Sequence, residues 1–411
     1  MNPKTRFNLV PLIILITLVT ATPFLAQHNL LSMDLTPSGF HVGVTFCGNT
    51  TAQAKLLINK VRTYTNLFVL QSGPVSKNET ATQEICDYAI TSGLDTIVYF
   101  GWFDPDCPWQ LPWIESAKQQ WGKRFLGVYY YDEPGGIQLE GNWSHYFQII
   151  KRFNSTRYQL HALAIEAYLN GSSMFRSHDD SAAVYIATFQ NYRDIKALKE
   201  RSTTMFTSDY ALWWWNYQAG YDVLFAQFGW NNSEVQDMAL VRGASRMQNK
   251  SWGAMITWKY DEPPYLDSAE ETYRQMRMAY DAGASYVVVF NYPQIEGNPY
   301  GILTDEHFRA LERFWCSVVS PFSQKTISKS TQAEAVLVLP RNYGWGMRRI
   351  DDRIWYWGPD EKSPQVWNIS RRLLSEYGVR LDIVYDDEAF PVEGKYSKIC
   401  YWNGTESNEK K

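Results

Sequence analysis

The sequence predicts a (β/α)8 barrel followed by a small α/β module, and three observations lead there. Between residues 41 and 320, short hydrophobic runs rich in β-branched and aromatic residues alternate with amphipathic helical patterns, the mark of parallel βα units. Eight such units fit that span, against ~250 residues for a typical barrel of this kind. No Gly-x-Gly-x-x-Gly or Walker-type loop opens any of the helices, which disfavours an open doubly wound sheet with a nucleotide at its edge.

Taken in order, strand 1 is expected over 41–47 and is followed by a helix over 51–64. Strand 2 covers 67–71 with a helix near 80–92, and strand 3 covers 96–102 with a helix near 113–121. Strand 4 is 125–131. The segment behind it is longer, with helical patterns over 143–153, 159–169 and 182–201. Strand 5 then falls at 204–208 and strand 6 at 222–228, with an amphipathic helix over 233–249. Strand 7 is 253–259, its helix 268–282. Strand 8 is 286–291, and a helix over 305–319 closes the ring. A Ser-, Thr- and Lys-rich linker at 321–332 leads to the module at 333–403. There 333–340, 380–385 and 397–401 read as strands and 365–377 as a helix. Residues 404–411 are polar and expected to fray.

The first residues carry a different signal. Lys4 and Arg6 precede a charge-free apolar run over 7–26 that ends in Leu25-Ala26-Gln27, the pattern of a secretory signal at 1–26. An uncleaved anchor is the alternative, since the run approaches the ~20 residues that span a bilayer. Asn-x-Ser/Thr sequons at Asn49, Asn78, Asn142, Asn154, Asn170, Asn231, Asn249, Asn368 and Asn403 fit an extracellular chain. The five cysteines, Cys47, Cys86, Cys107, Cys316 and Cys400, lack zinc-ligand spacing, and in an oxidising compartment a bridge among the first three is expected. The formal net charge of −4 argues against nucleic acid as a partner. The six histidines show no metal spacing, and neither Gly-x-Ser-x-Gly nor His-Glu-x-x-His occurs, so neither an esterase nor a zinc hydrolase is expected, and no metal or cofactor.

In such barrels the chemistry lies at the C-terminal strand ends. Those ends read Phe46-Cys47-Gly48-Asn49, Trp102-Phe103-Asp104, Tyr131-Asp132-Glu133-Pro134, Ser208-Asp209-Tyr210, Gln227-Phe228-Gly229-Trp230-Asn231, Trp258-Lys259-Tyr260-Asp261-Glu262-Pro263, and Asn291-Tyr292. The rim is acidic, amide-bearing and aromatic. Cleaving a glycosidic bond needs two carboxyl groups beside it, ~5–5.5 Å apart in retaining enzymes and ~6.5–9.5 Å in inverting ones. It also calls for flat rings that stack on sugar faces. Trp102, Asp104, Tyr131, Trp213, Gln227, Trp230, Asn231, Trp258, Asp261, Asn291 and Tyr292 are the candidate sugar contacts. The Trp213–Trp214–Trp215 run is expected to split, one ring in the cleft and the others in the core. Arg242, on the helix after strand 6, reads as a structural partner.

Tyr-Asp-Glu-Pro occurs twice, at Tyr131-Asp132-Glu133-Pro134 and at Tyr260-Asp261-Glu262-Pro263, the ends of strands 4 and 7. In layout and carboxylate placement the chain resembles, over roughly 41–320, the superfamily of retaining barrel glycosidases with acid/base on strand 4 and nucleophile on strand 7. The run Gly-Val-Tyr-Tyr-Tyr-Asp-Glu-Pro-Gly at 127–135 also resembles a motif of archaeal extracellular barrel proteins. The resemblance implies a glycoside hydrolase acting on oligo- or polysaccharide, with Glu133 as general acid/base and Glu262 as nucleophile. Asp132 stands where the superfamily usually has Asn, so which of Asp132 and Glu133 faces the site is open, because neighbours on a strand point to opposite faces. Asp209 is a reserve carboxylate. The alternative is a barrel that binds glycans at a cell surface without cleaving them. A membrane enters only if the N-terminal segment is retained. The module looks like an abbreviated form of the amidotransferase-like domain behind some β-galactosidase-type barrels, where it mediates packing.

Overall fold

The computed structural model describes residues 39–140, 177–292, 295–320, 333–355 and 358–408. The expected signal segment, the helices at 143–153 and 159–169 and the linker lie outside the described residues. The first body is a closed ring of eight parallel strands, β1 (His41–Phe46), β2 (Leu67–Leu70), β3 (Asp95–Tyr99), β4 (Phe125–Tyr129), β5 (Met205–Asp209), β6 (Val223–Phe228), β7 (Ser251–Ile256) and β8 (Tyr286–Val289), with β8 pairing β1 to close it. Every expected barrel strand is present. Strands 3, 4, 7 and 8 stop two or three residues early, because the rim residues at their ends turn into loops.

The helices on the outside are α1 (Thr51–Val61), α2 (Glu79–Thr91), α3 (Gln110–Trp121), α4 (Pro134–Glu140), α5 (His178–Asn191), α6 (Arg193–Glu200), α7 (Trp213–Ala219), α8 (Glu234–Met247), α9 (Ala269–Asp281) and α10 (Asp305–Phe314). Capping fixes several starts: Thr50 accepts from Gln53 N at α1, Asn78 from Ala81 N at α2, and Ser268 from Glu271 N at α9. The pattern at 182–201 is two helices, α5 and α6, broken at Tyr192, whose ψ of 131° is extended. The short α4 and α7, seven residues each, have too few turns to show a period and were not legible in the sequence. Among the described residues, no helix is long and apolar enough to cross a membrane.

Side chains inside the ring come from alternate positions: Leu67 and Val69, Ile97, Tyr129, Phe206, Val223 and Phe225, Met255 and Val288 pack together. Their neighbours Phe68, Val98, Val128, Leu224, Ala226, Ala254 and Val287 face the helices in the larger outer core. This parity decides the site, since it carries Ser208 and Gln227 inward and Asp209 outward. Space inside is tight where strands approach. A Cβ on Gly43 would sit 1.9 Å from the Leu67 carbonyl oxygen, so only glycine fits there.

Behind the barrel, β9 (Ala335–Leu339) lies between β10 (Leu381–Tyr385) and β11 (Lys398–Tyr401), parallel to both, and α11 (Ser363–Tyr377) covers the sheet. The tail does not simply fray: β12 (Glu406–Asn408) pairs antiparallel with β11. The module docks on α8. Arg242, buried as a structural residue, donates from Nε to Asp382 Oδ1 at 2.7 Å and from Nη2 to the Leu381 carbonyl at 2.9 Å, while Arg246 and Tyr396 also reach Asp382. At Gly243 the helix backbone comes so close that a Cβ would meet the Ile383 oxygen at 2.5 Å.

Two expectations are corrected by this packing. All three tryptophans of the run at 213–215 are buried: Trp215 packs edge-on or tilted against Trp355 and Tyr385 of the module, and Trp214 against Tyr385 and Phe390. None opens to a cleft, because this face of α7 is where the module sits. The five cysteines are free thiols, so no bridge joins Cys47, Cys86 and Cys107. They belong to different places: Cys47 follows β1 at the barrel mouth, Cys86 is on the buried face of α2, and Cys107 lies in the loop after β3.

Candidate functional site at the barrel mouth

Three strand ends meet around one polar cluster. From β4 comes Tyr129, fully buried, whose hydroxyl contacts Asp132 Oδ1 and lies 2.6 Å from Ser208 Oγ. From β5 comes Ser208, whose Oγ is 3.1 Å from Asp132 Oδ1 and whose backbone N–H donates to the Tyr129 oxygen at 3.0 Å. From β6 comes Gln227, which donates from Nε2 to Glu133 Oε1 at 2.7 Å and to Ser208 Oγ at 2.9 Å. One network therefore holds both carboxyl groups of the strand-4 motif. The other amide atom, Gln227 Oε1, is buried without a hydrogen-bond partner among the described residues.

The chain manages to present two consecutive carboxyls by leaving extended geometry. Tyr131 and Glu133 have φ of 53° and 51°, in the left-handed region that costs a non-glycine residue ~1–3 kcal/mol. The loop is held there by β5: Glu133 N donates to Ser208 O at 3.1 Å, and Thr207 Oγ1 donates to the Tyr131 carbonyl. Asp209 supplies the strongest grip. It is fully buried and outward-facing, and it accepts from the backbone N–H groups of Gly135 (2.5 Å), Gly136 (2.8 Å), Tyr210 (2.9 Å) and Ala211 (3.2 Å) and from Asn216 Nδ2 (2.7 Å). Its two oxygens are thus saturated, and it is a clamp on the loop rather than a reserve catalytic group.

Burial raises the pKa of Asp132, against the pull of the Tyr129 and Ser208 hydroxyls. Burial also pushes the Cys47 thiol, 3.8 Å from Thr45 Oγ1, up to about 12. Among the described residues no Lys, Arg or His forms an ion pair with Asp132, and no group of three or more His, Cys, Asp or Glu is arranged to hold a metal ion.

The other expected contacts divide into two sets. On the β6–β8 side, Trp230 is 43% exposed, with its ring 5.9 Å from Trp258, which in turn lies edge-on to Tyr292 at 5.5 Å. Asn231 is exposed beside it. On the β3–β4 side, half-buried Trp102 packs edge-on against buried Tyr131 at 4.4 Å. Asp104 is tied into the loop after β3, where it accepts from Asp106 N at 3.0 Å and lies 3.7 Å from Lys77 Nζ. Trp213 is buried and donates to the Asp209 carbonyl at 3.1 Å. Asn291 is buried between β8 and the following loop, where it accepts from Ile302 N at 3.1 Å. It borders a 220 Å³ cavity shared with Phe46, Gly48 and Tyr300.

Glu262 is not where strand 7 ends. β7 stops at Ile256, and Asp261 and Glu262 lie exposed in a turn closed by Tyr265 N to the Glu262 carbonyl at 3.0 Å. Neither side chain makes a hydrogen bond or ion pair among the described residues. The structure therefore does not join Glu262 to the strand-4 carboxyls. Tyr129 and Ser208, which do join them, were missed by the sequence reading.

What the fold and site define is a parallel (β/α)8 barrel with a paired-carboxyl mouth bordered by aromatic rings. No protein-family model matches the chain, and no curated protein matches it. Solved structures share the general shape at low scores. A GH99 endo-alpha-mannosidase from Bacteriodes thetaiotaomicron is 11% identical, with 69% of this chain and 98% of that one covered and a TM-score of 0.38. Active domain 2 of a chitinase from Pyrococcus furiosus is 11% identical over 69% and 97%, TM-score 0.34. A HpcH/HpaI aldolase/citrate lyase family protein from Burkholderia cenocepacia J2315 is 12% identical over 64% and 92%, TM-score 0.30. Likeness this slight adds nothing to the functional argument, which rests on the site.

Proposed function

We propose that the protein is an extracellular glycoside hydrolase that cleaves oligo- or polysaccharide with the carboxyl pair Asp132 and Glu133. The observation that carries this reading is the single network through Tyr129, Ser208 and Gln227 that holds both carboxyls at the C-terminal mouth of the barrel. Hydrolysis needs one carboxyl to protonate the leaving oxygen and one to act on the sugar carbon directly or through water. The surroundings suit a neutral, hydroxyl-rich ligand. The Trp230, Trp258 and Tyr292 rings offer stacking faces. Export is supported by the sequons: each of the six that falls in the described residues, at Asn49, Asn78, Asn231, Asn249, Asn368 and Asn403, has an exposed asparagine.

The test is hydrolysis of a broad glycan panel by the purified protein beside Glu133→Gln and Asp132→Asn. Loss of an acid or base contributes ~10²–10⁴-fold, so each variant is expected to fall by at least that much with the fold retained. Equal activity in all three proteins sinks the assignment. A second reading, a barrel that binds glycans without cleaving them, is favoured by the position of Glu262, which leaves strand 7 without a carboxyl in the network. Under that reading calorimetry finds glycan binding by the wild type with no product formed.

A further inference from the structure

The hydrogen count at the mouth says more than the distances do. Tyr129 Oη, Ser208 Oγ and Asp132 Oδ1 touch one another in a closed triangle: Tyr129 with Asp132, Tyr129 with Ser208 at 2.6 Å, and Ser208 with Asp132 at 3.1 Å. Each edge of that length calls for one hydrogen lying along it. A tyrosine and a serine bring one hydroxyl hydrogen each, and an ionised carboxylate brings none. Two more donors reach the triangle, Ser208 N–H onto Tyr129 Oη and Gln227 Nε2 onto Ser208 Oγ, but they come from outside and lie along no edge.

If Asp132 is ionised it draws both hydroxyl hydrogens to itself. Tyr129 Oη and Ser208 Oγ are then left 2.6 Å apart, lone pair against lone pair. If Asp132 is protonated, the ring closes. Asp132 donates to Tyr129, Tyr129 to Ser208, and Ser208 back to Asp132. Tyr129 Oη then accepts from Asp132 and from Ser208 N–H, and Ser208 Oγ accepts from Tyr129 and from Gln227. That fills the two lone pairs of each hydroxyl oxygen.

We propose that Asp132 is held as a neutral carboxylic acid at neutral pH, the third donor of this ring, so that the proton of the strand-4 pair sits on Asp132 rather than on Glu133. The groups around it support this. Cys47 lies near it just after β1, Tyr129 on its own strand, and Tyr221 just before β6. All are acids, and no cation among the described residues pairs with it, so only the Tyr129 and Ser208 hydroxyls favour its charge. Desolvation acts against that charge.

Loss of the proton opens the Tyr129–Ser208 edge of the ring. When Asp132 gives it up, the Tyr129 hydrogen swings from Ser208 to Asp132, and two hydroxyls then hold the new carboxylate. The use of this as a general acid rests on the hydrolase reading above, although the protonation itself does not. In that use the Asp132 proton goes to the leaving oxygen, which keeps the electron pair of the broken C–O bond. A water molecule supplies the hydroxyl that completes the sugar carbon, and its remaining proton restores Asp132. The resemblance-based assignment of the acid to Glu133 is thereby reversed.

The experiment is a pH titration of the full chain labelled with 13Cγ-aspartate, read by NMR without any substrate. The Asp132 resonance is assigned by its loss in Asp132→Asn and, independently, by its shift in Ser208→Ala. A midpoint above pH 7, against ~3.9 for an ordinary aspartate, is expected. A midpoint below pH 7 overturns the proposal. Because the titration needs no turnover, it can succeed where the hydrolase reading fails, and fail where that reading holds.

Discussion

Replacing Asp382 with Asn tests how the C-terminal module is held to the barrel. Asp382 is fully buried and takes Arg242 Nε at 2.7 Å, Arg246 Nη1 at 3.0 Å and the Tyr396 hydroxyl at 2.8 Å. An amide in its place keeps one acceptor oxygen and turns an NH2 toward a guanidinium. Arg242, 2% exposed, keeps its charge without a counter-ion, and its Nη1 is already buried without a partner. Removing one partner of a buried pair costs ~3–5 kcal/mol, and Arg246 adds little because its side chain is partly in water. With an m-value of ~3 kcal/mol/M, the urea midpoint should fall by about 1–1.7 M. Tryptophan fluorescence is a suitable probe, since Trp214 and Trp215 pack on Tyr385 in the same interface. Gly243→Val approaches the contact from the barrel side, by a backbone clash with Ile383, and should lower the midpoint as well. A shift worth less than about 1 kcal/mol in both variants would mean that the module does not depend on α8.

Three further outcomes follow from the site and the thiols. Asp132 has a raised folded-state pKa, so its contribution to stability is full below the unfolded value of ~3.9 and is lost as pH rises toward the folded one; the denaturation midpoint should drop between pH 5 and pH 8, and drop less in Asp132→Asn. An identical slope in the two proteins would show that Asp132 does not titrate differently in the folded state. Five thiols should be alkylated in denaturant and Cys316, the exposed one, first under native conditions, while the buried Cys86 and Cys400 stay protected; mass spectrometry of the labelled peptides reads this, and a missing pair would reveal a disulfide. Trp230→Ala should weaken glycan binding about tenfold, or ~1.4 kcal/mol, without changing the urea midpoint, since the ring is exposed and stacks on little besides Trp258. Unchanged affinity in calorimetry places the sugar elsewhere.

The barrel was legible because each βα unit announces itself as a hydrophobic run followed by an amphipathic one. The positions that decide chemistry were less so, for a reason rooted in the same fold. Parallel strands covered on both faces are hydrophobic throughout, so composition does not tell inward from outward residues. In Met-Phe-Thr-Ser-Asp at β5, nothing in the letters says that Phe206 and Ser208 face the axis while Asp209 faces the helices. Asp209 therefore looked like a rim carboxylate, and Ser208 went unnoticed. Glu262 misled differently. Its motif repeats that of Glu133, but β7 ends at Ile256 and the motif is carried outward by the turn. The tryptophan run could not be placed without the module that buries it. By contrast, Gln227 stood inside a clear strand and the strand-4 pair a few residues beyond one, so their place at the barrel mouth could be read from the sequence.

The misplacement of Asp209 has its own logic. A turn that sets Asp132 and Glu133 side by side needs Tyr131 and Glu133 at positive φ, a conformation that neither residue would hold alone. Something must overdetermine it, and the neighbouring strand is the rigid object within reach. Asp209, at the end of β5 and facing away from the mouth, collects the N–H groups of Gly135 and Gly136 as the chain enters α4, while Ser208 O takes that of Glu133. Gly135 is required by the same contact, since a Cβ there would lie 2.7 Å from Asp209 Oδ2 and 2.5 Å from the Ala211 oxygen, while a Cβ on Gly136 would meet the Tyr210 ring at 2.1 Å. Pleat parity then divides the labour between adjacent residues of one strand. Ser208 turns inward and joins the proton network; Asp209 turns outward and fixes the loop that carries the carboxyls. An acidic residue at a barrel strand end can thus matter to chemistry without touching a substrate, and its count of backbone donors, rather than its position in the sequence, is what tells the two roles apart.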